Sequence, residues 1–92
     1  MLFDSKKEAD RFVELSLMEK AKMIQDLKCQ VSFLLIPKSE YGREINYVAD
    51  FTYYEDGVLI VEDVKSPVTK TPLYRLKKRL MAEIYDIVIK ET

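Results

Sequence analysis

Two β-rich runs meet at Asp56-Gly57 in the segment 47–65, YVADFTYYEDGVLIVEDVK, and this dipeptide constrains the fold more than any other feature of the chain. Aspartate followed by glycine is typical of a tight two-residue hairpin turn, whose central positions take a positive φ. Such a turn pairs Glu55 with Val58, and counting outward one residue at a time sets Asp50 directly opposite Asp63. Strand side chains alternate between faces, so Lys65 falls on the face of Asp63 while Glu62 and Val64 point the other way. Opposed residues have β-carbons about 4.5–5.5 Å apart, and like charges there destabilise a sheet. A divalent cation is the usual reason for keeping such a pair. One extra residue at the turn would shift the pairing and part the two acids.

The remaining elements can be placed around this hairpin. Ser5 followed by Glu8 fits a capping box, which predicts a helix running to about Met23 or Gln25. Ala9, Phe12, Val13, Leu17, Ala21 and Ile24 recur at helical spacing as its apolar stripe, widened by Leu15 and Met18. Residues 28–36 (KCQVSFLLI) read as a strand stopped by Pro37, and the polar segment 37–44 as an exposed loop between antiparallel strands. The hairpin strands span 45–54 and 58–65, and 66–70 is a connector. Thr71-Pro72 supplies an N-cap and a first-turn proline for a second helix to about Tyr85, with Leu73, Leu76, Leu80 and Ile84 as its buried stripe. A short strand over 86–90 follows, which a helical crossover sets parallel to the second hairpin strand. The predicted class is α/β in the sense of an α+β mixed sheet, in the order αβββαβ, with helices packed against the sheet.

The 92 residues are read as one domain, 1–92, at a size where a metal or a second subunit often adds to a modest core. A homodimer is expected. The longest apolar run, 33–36, is far short of a membrane span, and the N-terminal residues lack the regions of a signal peptide, so a cytoplasmic protein is expected, with no membrane partner. One cysteine, Cys29, and no histidine disfavour a disulfide framework, a structural zinc site and Cys-His or Ser-His catalysis. Cys29 reads as a core thiol. Any metal bound here is held by oxygen, which selects hard cations such as Mg²⁺ or Mn²⁺. A net charge of −1 conceals an uneven distribution: from Val64 to Ala82 there are Lys65, Lys70, Arg75, Lys77, Lys78 and Arg79 and no acid. A basic face can thus adjoin an acidic pocket.

The element order and the residues Val48-Ala49-Asp50 and Asp63-Val64-Lys65 resemble the PD-(D/E)XK nuclease superfamily, with its restriction-endonuclease-like core. More narrowly, FDSKKEA, YVADF and VEDVK look like the landmarks of small phage and prophage proteins related to archaeal-type Holliday junction resolvases. The resemblance covers nearly the whole chain. Ala49 stands where the superfamily name has proline, and Asp63 where resolvases more often have glutamate. The resemblance implies a catalytic set of Glu8, Asp50, Asp63 and Lys65, with Asp50, Asp63, the Val64 backbone carbonyl and Glu8 as metal ligands. It also implies Mg²⁺ (or Mn²⁺) and no organic cofactor, DNA as partner, above all branched recombination or replication intermediates, and host-cell cytoplasm if the protein is phage-encoded.

The chemistry can be argued from the residues as well. Phosphodiester hydrolysis needs an attacking water, charge relief on the phosphoryl oxygens and help for the leaving oxygen, and carboxylate-held Mg²⁺ serves all three. Lys65 either orients or deprotonates the water or stabilises transition-state charge. Lys70, Arg75, Lys77, Lys78 and Arg79 are the candidate DNA contacts. Each residue also has a plainer explanation. Glu8 completes a capping box, Asp63 and Lys65 form a charge ladder, and the basic helix is a solvated face. Two other classes of function stay open: a non-catalytic nucleic-acid-binding or assembly module, and a nuclease for DNA ends or RNA.

Overall fold

The computed structural model describes Phe3, residues 5–66 and residues 70–92. The elements are α1 (Lys6–Lys20), β1 (Gln25–Ile36), β2 (Ile45–Glu55), β3 (Val58–Asp63), α2 (Pro72–Tyr85) and β4 (Lys90–Glu91). They form one four-stranded mixed sheet in the order β1-β2-β3-β4, antiparallel except for β4, which runs parallel to β3. The last strand runs parallel to β3 as expected, but it is only Lys90–Glu91, and residues 86–89 of the expected 86–90 are not part of a strand. Part of the expected connector, 67–69, lies outside the described residues.

The hairpin turn is the two-residue form. Asp56 and Gly57 have φ of 52° and 77°, the positive pair that matches strand twist. Pairing then runs without a shift from Glu55↔Val58 to Phe51↔Glu62, and Asp50 and Asp63 are the residues directly beyond this last paired rung. No atom lies within 4 Å of where a Gly57 β-carbon would stand, so the cost of a side chain there is conformational alone. Gly57→Ala is expected to lower stability by about 1 kcal/mol, read as a lower melting temperature.

Local sequence accounts for the helix ends. Ser5 and Thr71 accept hydrogen bonds from the N–H groups of Glu8 and Tyr74, both at 3.1 Å, which satisfies donors that a helix start leaves orphaned. α2 matches the expected span. α1 stops earlier than expected because Lys22 turns left-handed, with φ 62°. The Lys22 and Met23 N–H groups close back on Glu19 and Met18, a Schellman ending.

Which helix faces are buried differs from the sequence expectation. α1 buries Glu8 and Leu15, with Phe12 and Met18 half-buried, while Val13 and Leu17 are exposed. α2 buries Tyr74 and Met81, while Leu73, Leu76 and Ile84 are exposed and Leu80 is half-buried. In both helices the docked face carries polar side chains that find partners on the sheet, which a stripe of apolar residues does not register.

The helices cover opposite faces of the sheet. On β3, Ile60 belongs with Leu15, Ile24, Phe51 and Tyr53 under α1, and Val61 belongs with Tyr74 and Met81 under α2. The odd-numbered residues of β2 divide between these cores. Phe51 and Tyr53 pack with α1, Tyr47 and Ala49 with α2. A regular strand would keep all four on one face. The alternation therefore switches at Asp50. The position facing it on β1 is Gln30, between the rungs Cys29↔Phe51 and Val31↔Ala49, and Gln30 takes a left-handed φ of 54°. Both strands change faces at this rung, beside the acidic pair. Cys29 packs at the α1 core as a half-buried thiol, its pKa raised by burial and then by the charge of Glu8.

A buried ion pair holds α1 to β3. Arg11 donates from Nε and Nη2 to the two carboxylate oxygens of Glu62, each at 2.8 Å, and the Tyr53 hydroxyl donates to Glu62 Oε1 at 2.9 Å. Glu62 is completely buried. The hydrogen bond to Glu62 raises the Arg11 pKa, and burial, followed by Glu62, pushes Tyr53 up to about 12. No helix among the described residues is long and apolar enough to cross a membrane.

Candidate functional site

Glu8, Asp50, Asp63, Val64 and Lys65 all line one open cavity of about 560 Å³, together with Ser5, Gln30, Tyr47, Val48, Thr71, Leu73, Tyr74 and Lys77. Three elements are fixed there by local rules already given: α1 by its Ser5 cap, the hairpin by its turn, and α2 by its Thr71 cap. The cavity lies where they meet the Gln30–Asp50 rung.

The acidic pair is backed by a closely bonded main chain. Asp50 Oδ2 accepts the Val64 N–H at 2.8 Å. The Lys65 N–H donates to the Thr92 carbonyl at 2.9 Å, the Thr92 N–H donates to the Asp63 carbonyl at 3.0 Å, and Lys7 Nζ donates to the Lys65 carbonyl at 2.6 Å. The triplet Asp63-Val64-Lys65 is thereby held on both sides as it leaves β3. The Lys65 ammonium lies 3.1 Å from Asp63 Oδ2 and 3.9 Å from the centre of the Tyr74 ring, so an ion pair and a cation–π contact fix its direction. Tyr74 is anchored in turn through its hydroxyl, which donates to Glu91 at 2.6 Å.

Electrostatics mark Asp63. Its carboxyl is pushed up to about 7, first by burial and then by the hydrogen bond and negative charge of Asp50, against the opposing effect of Lys65. Two acids this close share a proton more readily than either keeps a full charge. Tyr47 and Tyr74 are raised as well. Burial comes first in both, followed by the Asp63 charge for Tyr47 and the Glu91 hydrogen bond for Tyr74.

Glu8 reaches the pair at one remove. Gln30 Nε2 donates to Glu8 Oε1 at 2.9 Å and lies 3.5 Å from Asp50 Oδ1, so an amide bridges the helix carboxylate and the strand carboxylate. Among the described residues no three acidic or cysteine side chains gather as a metal-holding group. Two adjacent carboxylates remain. That donor set fits Mg²⁺, which keeps several waters and takes one or two protein carboxylates alongside substrate phosphates.

The candidate DNA contacts separate into three groups. Lys77 lines the cavity. Arg75, Lys78 and Arg79 surround a second depression with Ala82, Val88 and Ile89. Lys70 and Lys78 pair with Glu91 at 3.4 and 3.3 Å. The Tyr74 hydrogen bond, followed by Lys78 and Lys70, holds Glu91 down at about 2 despite some opposing desolvation. The acid-free stretch of sequence is thus partly neutralised in space by a residue of β4.

Four residues escaped the sequence reading. Gln30 left a weak signal, an amide between Cys29 and Val31 in the run 28–36. Tyr47 stands at the start of the hairpin strand that carries Asp50. Tyr74 and Lys7 left none, since their parts depend on which face of each helix meets the sheet. Neither a curated protein nor a solved structure matches this chain. A family model does match, over residues 1–91, and the chain accordingly belongs to the family described as Protein of unknown function (DUF1064).

Proposed function

We propose that this protein is a Mg²⁺-dependent DNA endonuclease of the PD-(D/E)XK type, related to the junction-resolving phage proteins that its sequence resembles. The observation that carries the reading is the grouping of Asp50, Asp63 and Lys65 in one open cavity, with Lys65 bonded to Asp63 and directed by Tyr74. Asp50 and Asp63 hold the ion, with the Val64 carbonyl as a further oxygen, and Glu8 acts through Gln30. When bound, Mg²⁺ supplies charge relief at the phosphoryl oxygens and activates the attacking water. Lys65 keeps its ammonium beside the reacting phosphate, where it orients the water or stabilises the charge that develops. Lys77 attracts the phosphate from the cavity wall, and Arg75 and Arg79 take neighbouring backbone phosphates.

Branched DNA is the proposed substrate, on the strength of the resemblance. Cutting a junction at two symmetric positions calls for a two-fold dimer, and the exposed Leu73, Leu76 and Ile84 of α2 offer it an apolar surface. The test is incubation with four-way junction, duplex and single-stranded DNA in Mg²⁺, Mn²⁺ or EDTA. Junction cleavage that EDTA abolishes is the expected result, and binding without metal-dependent cutting under any condition would overturn it. A second reading, a nucleic-acid-binding module without hydrolysis, draws on the absence of a three-ligand metal group among the described residues. It predicts junction binding that is the same in Mg²⁺ and EDTA.

A further inference from the structure

We infer that Glu91 is a positioning residue for Lys65, acting on the lysine through Tyr74. This role rests on the nuclease reading and deepens it.

A lysine ammonium sits on a flexible four-carbon stem and has to be held in place before it can serve a reacting phosphate. Among the described residues two side-chain contacts hold Lys65: the ion pair with Asp63 at 3.1 Å, and the Tyr74 ring, whose centre is 3.9 Å from Nζ. The first contact is shared. A carboxylate that holds Mg²⁺ has less negative charge to offer an ammonium, so Lys65 depends on the ring most when the site is in use.

A ring directs a cation only if the ring itself is fixed. Tyr74 is buried and tied at both ends. Its N–H donates to Thr71 Oγ1 at 3.1 Å in the first turn of α2, and its hydroxyl donates to Glu91 Oε2 at 2.6 Å. Glu91 is set in register by the sheet. It pairs with Asp63 across the parallel ladder, and the main chain of the next residue, Thr92, bonds to the Asp63 carbonyl and the Lys65 N–H at 3.0 and 2.9 Å. A closed path thus runs from the Lys65 ammonium through the Tyr74 ring and hydroxyl to Glu91, and from there through β4 back to the Lys65 main chain. Glu91 also pairs with Lys70 and Lys78 at 3.4 and 3.3 Å. Those are partly exposed lysines, whose surface pairs are worth little, and neutralising them would not require the bond from the tyrosine.

Tyr74→Phe keeps the ring and removes its anchor, Glu91→Ala removes the anchor from the other side, and Glu91→Gln keeps an oxygen that can accept from the hydroxyl. These variants and the double variant Tyr74→Phe with Glu91→Ala are compared in the full chain. One measurement is single-turnover cleavage of a four-way junction as a function of protein concentration. The other, on metal-free protein without DNA, is the NMR shift of the Lys65 ε protons, which the face of the Tyr74 ring moves upfield. Tyr74→Phe and Glu91→Ala are each expected to slow cleavage at saturation at least about tenfold without weakening junction binding, and to reduce the upfield shift. The double variant should be no slower than the slower single one, because both substitutions cut the same path. Glu91→Gln should keep most of the rate. Additive losses, an unchanged Lys65 shift, a Glu91→Gln variant as slow as Glu91→Ala, or a loss confined to binding would each overturn the positioning role and leave the nuclease reading standing. If Glu91→Ala does not fold, Tyr74→Phe and Glu91→Gln decide by the same two measurements. If the wild-type protein cuts no DNA in any metal, the nuclease reading fails and the role of Glu91 in it fails as well.

Discussion

Asp50→Asn is expected to make the metal-free protein more stable at pH 8, by roughly 1 kcal/mol, while abolishing Mg²⁺ binding and lowering cleavage by about 10³-fold or more. The stability gain depends on pH in a defined direction. The folded-state pKa of Asp63 stands at about 7, above the value near 3.9 of an unfolded chain. Between those values the folded state binds the extra proton, so the stability of the metal-free wild type falls as pH rises from about 4 to about 7 and then levels off. With Asp50 neutral, Asp63 loses a like-charged neighbour and the fall becomes shallower. The two proteins should therefore differ most above pH 7 and converge below about pH 5. Melting curves in EDTA across this range, with Mg²⁺ titrations at pH 8, check the prediction. Equal melting temperatures at pH 8, or unchanged Mg²⁺ affinity, would count against it.

The second large effect lies away from the cavity. Arg11→Ala leaves the buried Glu62 carboxylate with the Tyr53 hydroxyl, at 2.9 Å, as its remaining side-chain donor among the described residues, and stranding a buried charge in this way costs about 3–5 kcal/mol. Domains of this size have only about 5–15 kcal/mol in total. The melting temperature is therefore expected to drop by roughly 15 °C or more. Replacing both partners, Arg11→Leu with Glu62→Leu, removes the charge along with its cation and should recover most of the loss. If the single and double variants melt together, the ion pair is not what fastens α1 to β3.

Sequence reasoning succeeded where local chemistry decides the outcome. Asp56-Gly57 dictates the turn, the turn dictates the register, and the register brings Asp50 to Asp63 with no tertiary information. Thr71-Pro72 likewise fixes the start of α2. It failed where a choice depends on a distant partner. The rule that apolar residues face inward selected Val13 and Leu17 on α1, because it could not register that Arg11 would be drawn to Glu62 and Glu8 to Gln30. On α2 it selected Leu73, Leu76 and Ile84 over Tyr74, whose ring supports Lys65 and whose hydroxyl reaches Glu91. Strict alternation also hid the switch at Asp50, since Gln30 adopts a backbone conformation that its side chain does not advertise.

Asp63 follows Asp50 by thirteen positions along the chain, which bears on the entropy of bringing the cavity together. A hairpin of this span closes in about 1–10 μs, whereas bringing Glu8 to Gln30 requires closing a loop of 22 residues, and bringing Lys7 to Lys65 one of 58. The contact between the two acids therefore closes the smaller loop and carries the smaller closure entropy. The chain places its like-charged pair on its shortest closure, where a turn can impose it, and spends the longer closures on the groups that α1 adds around it.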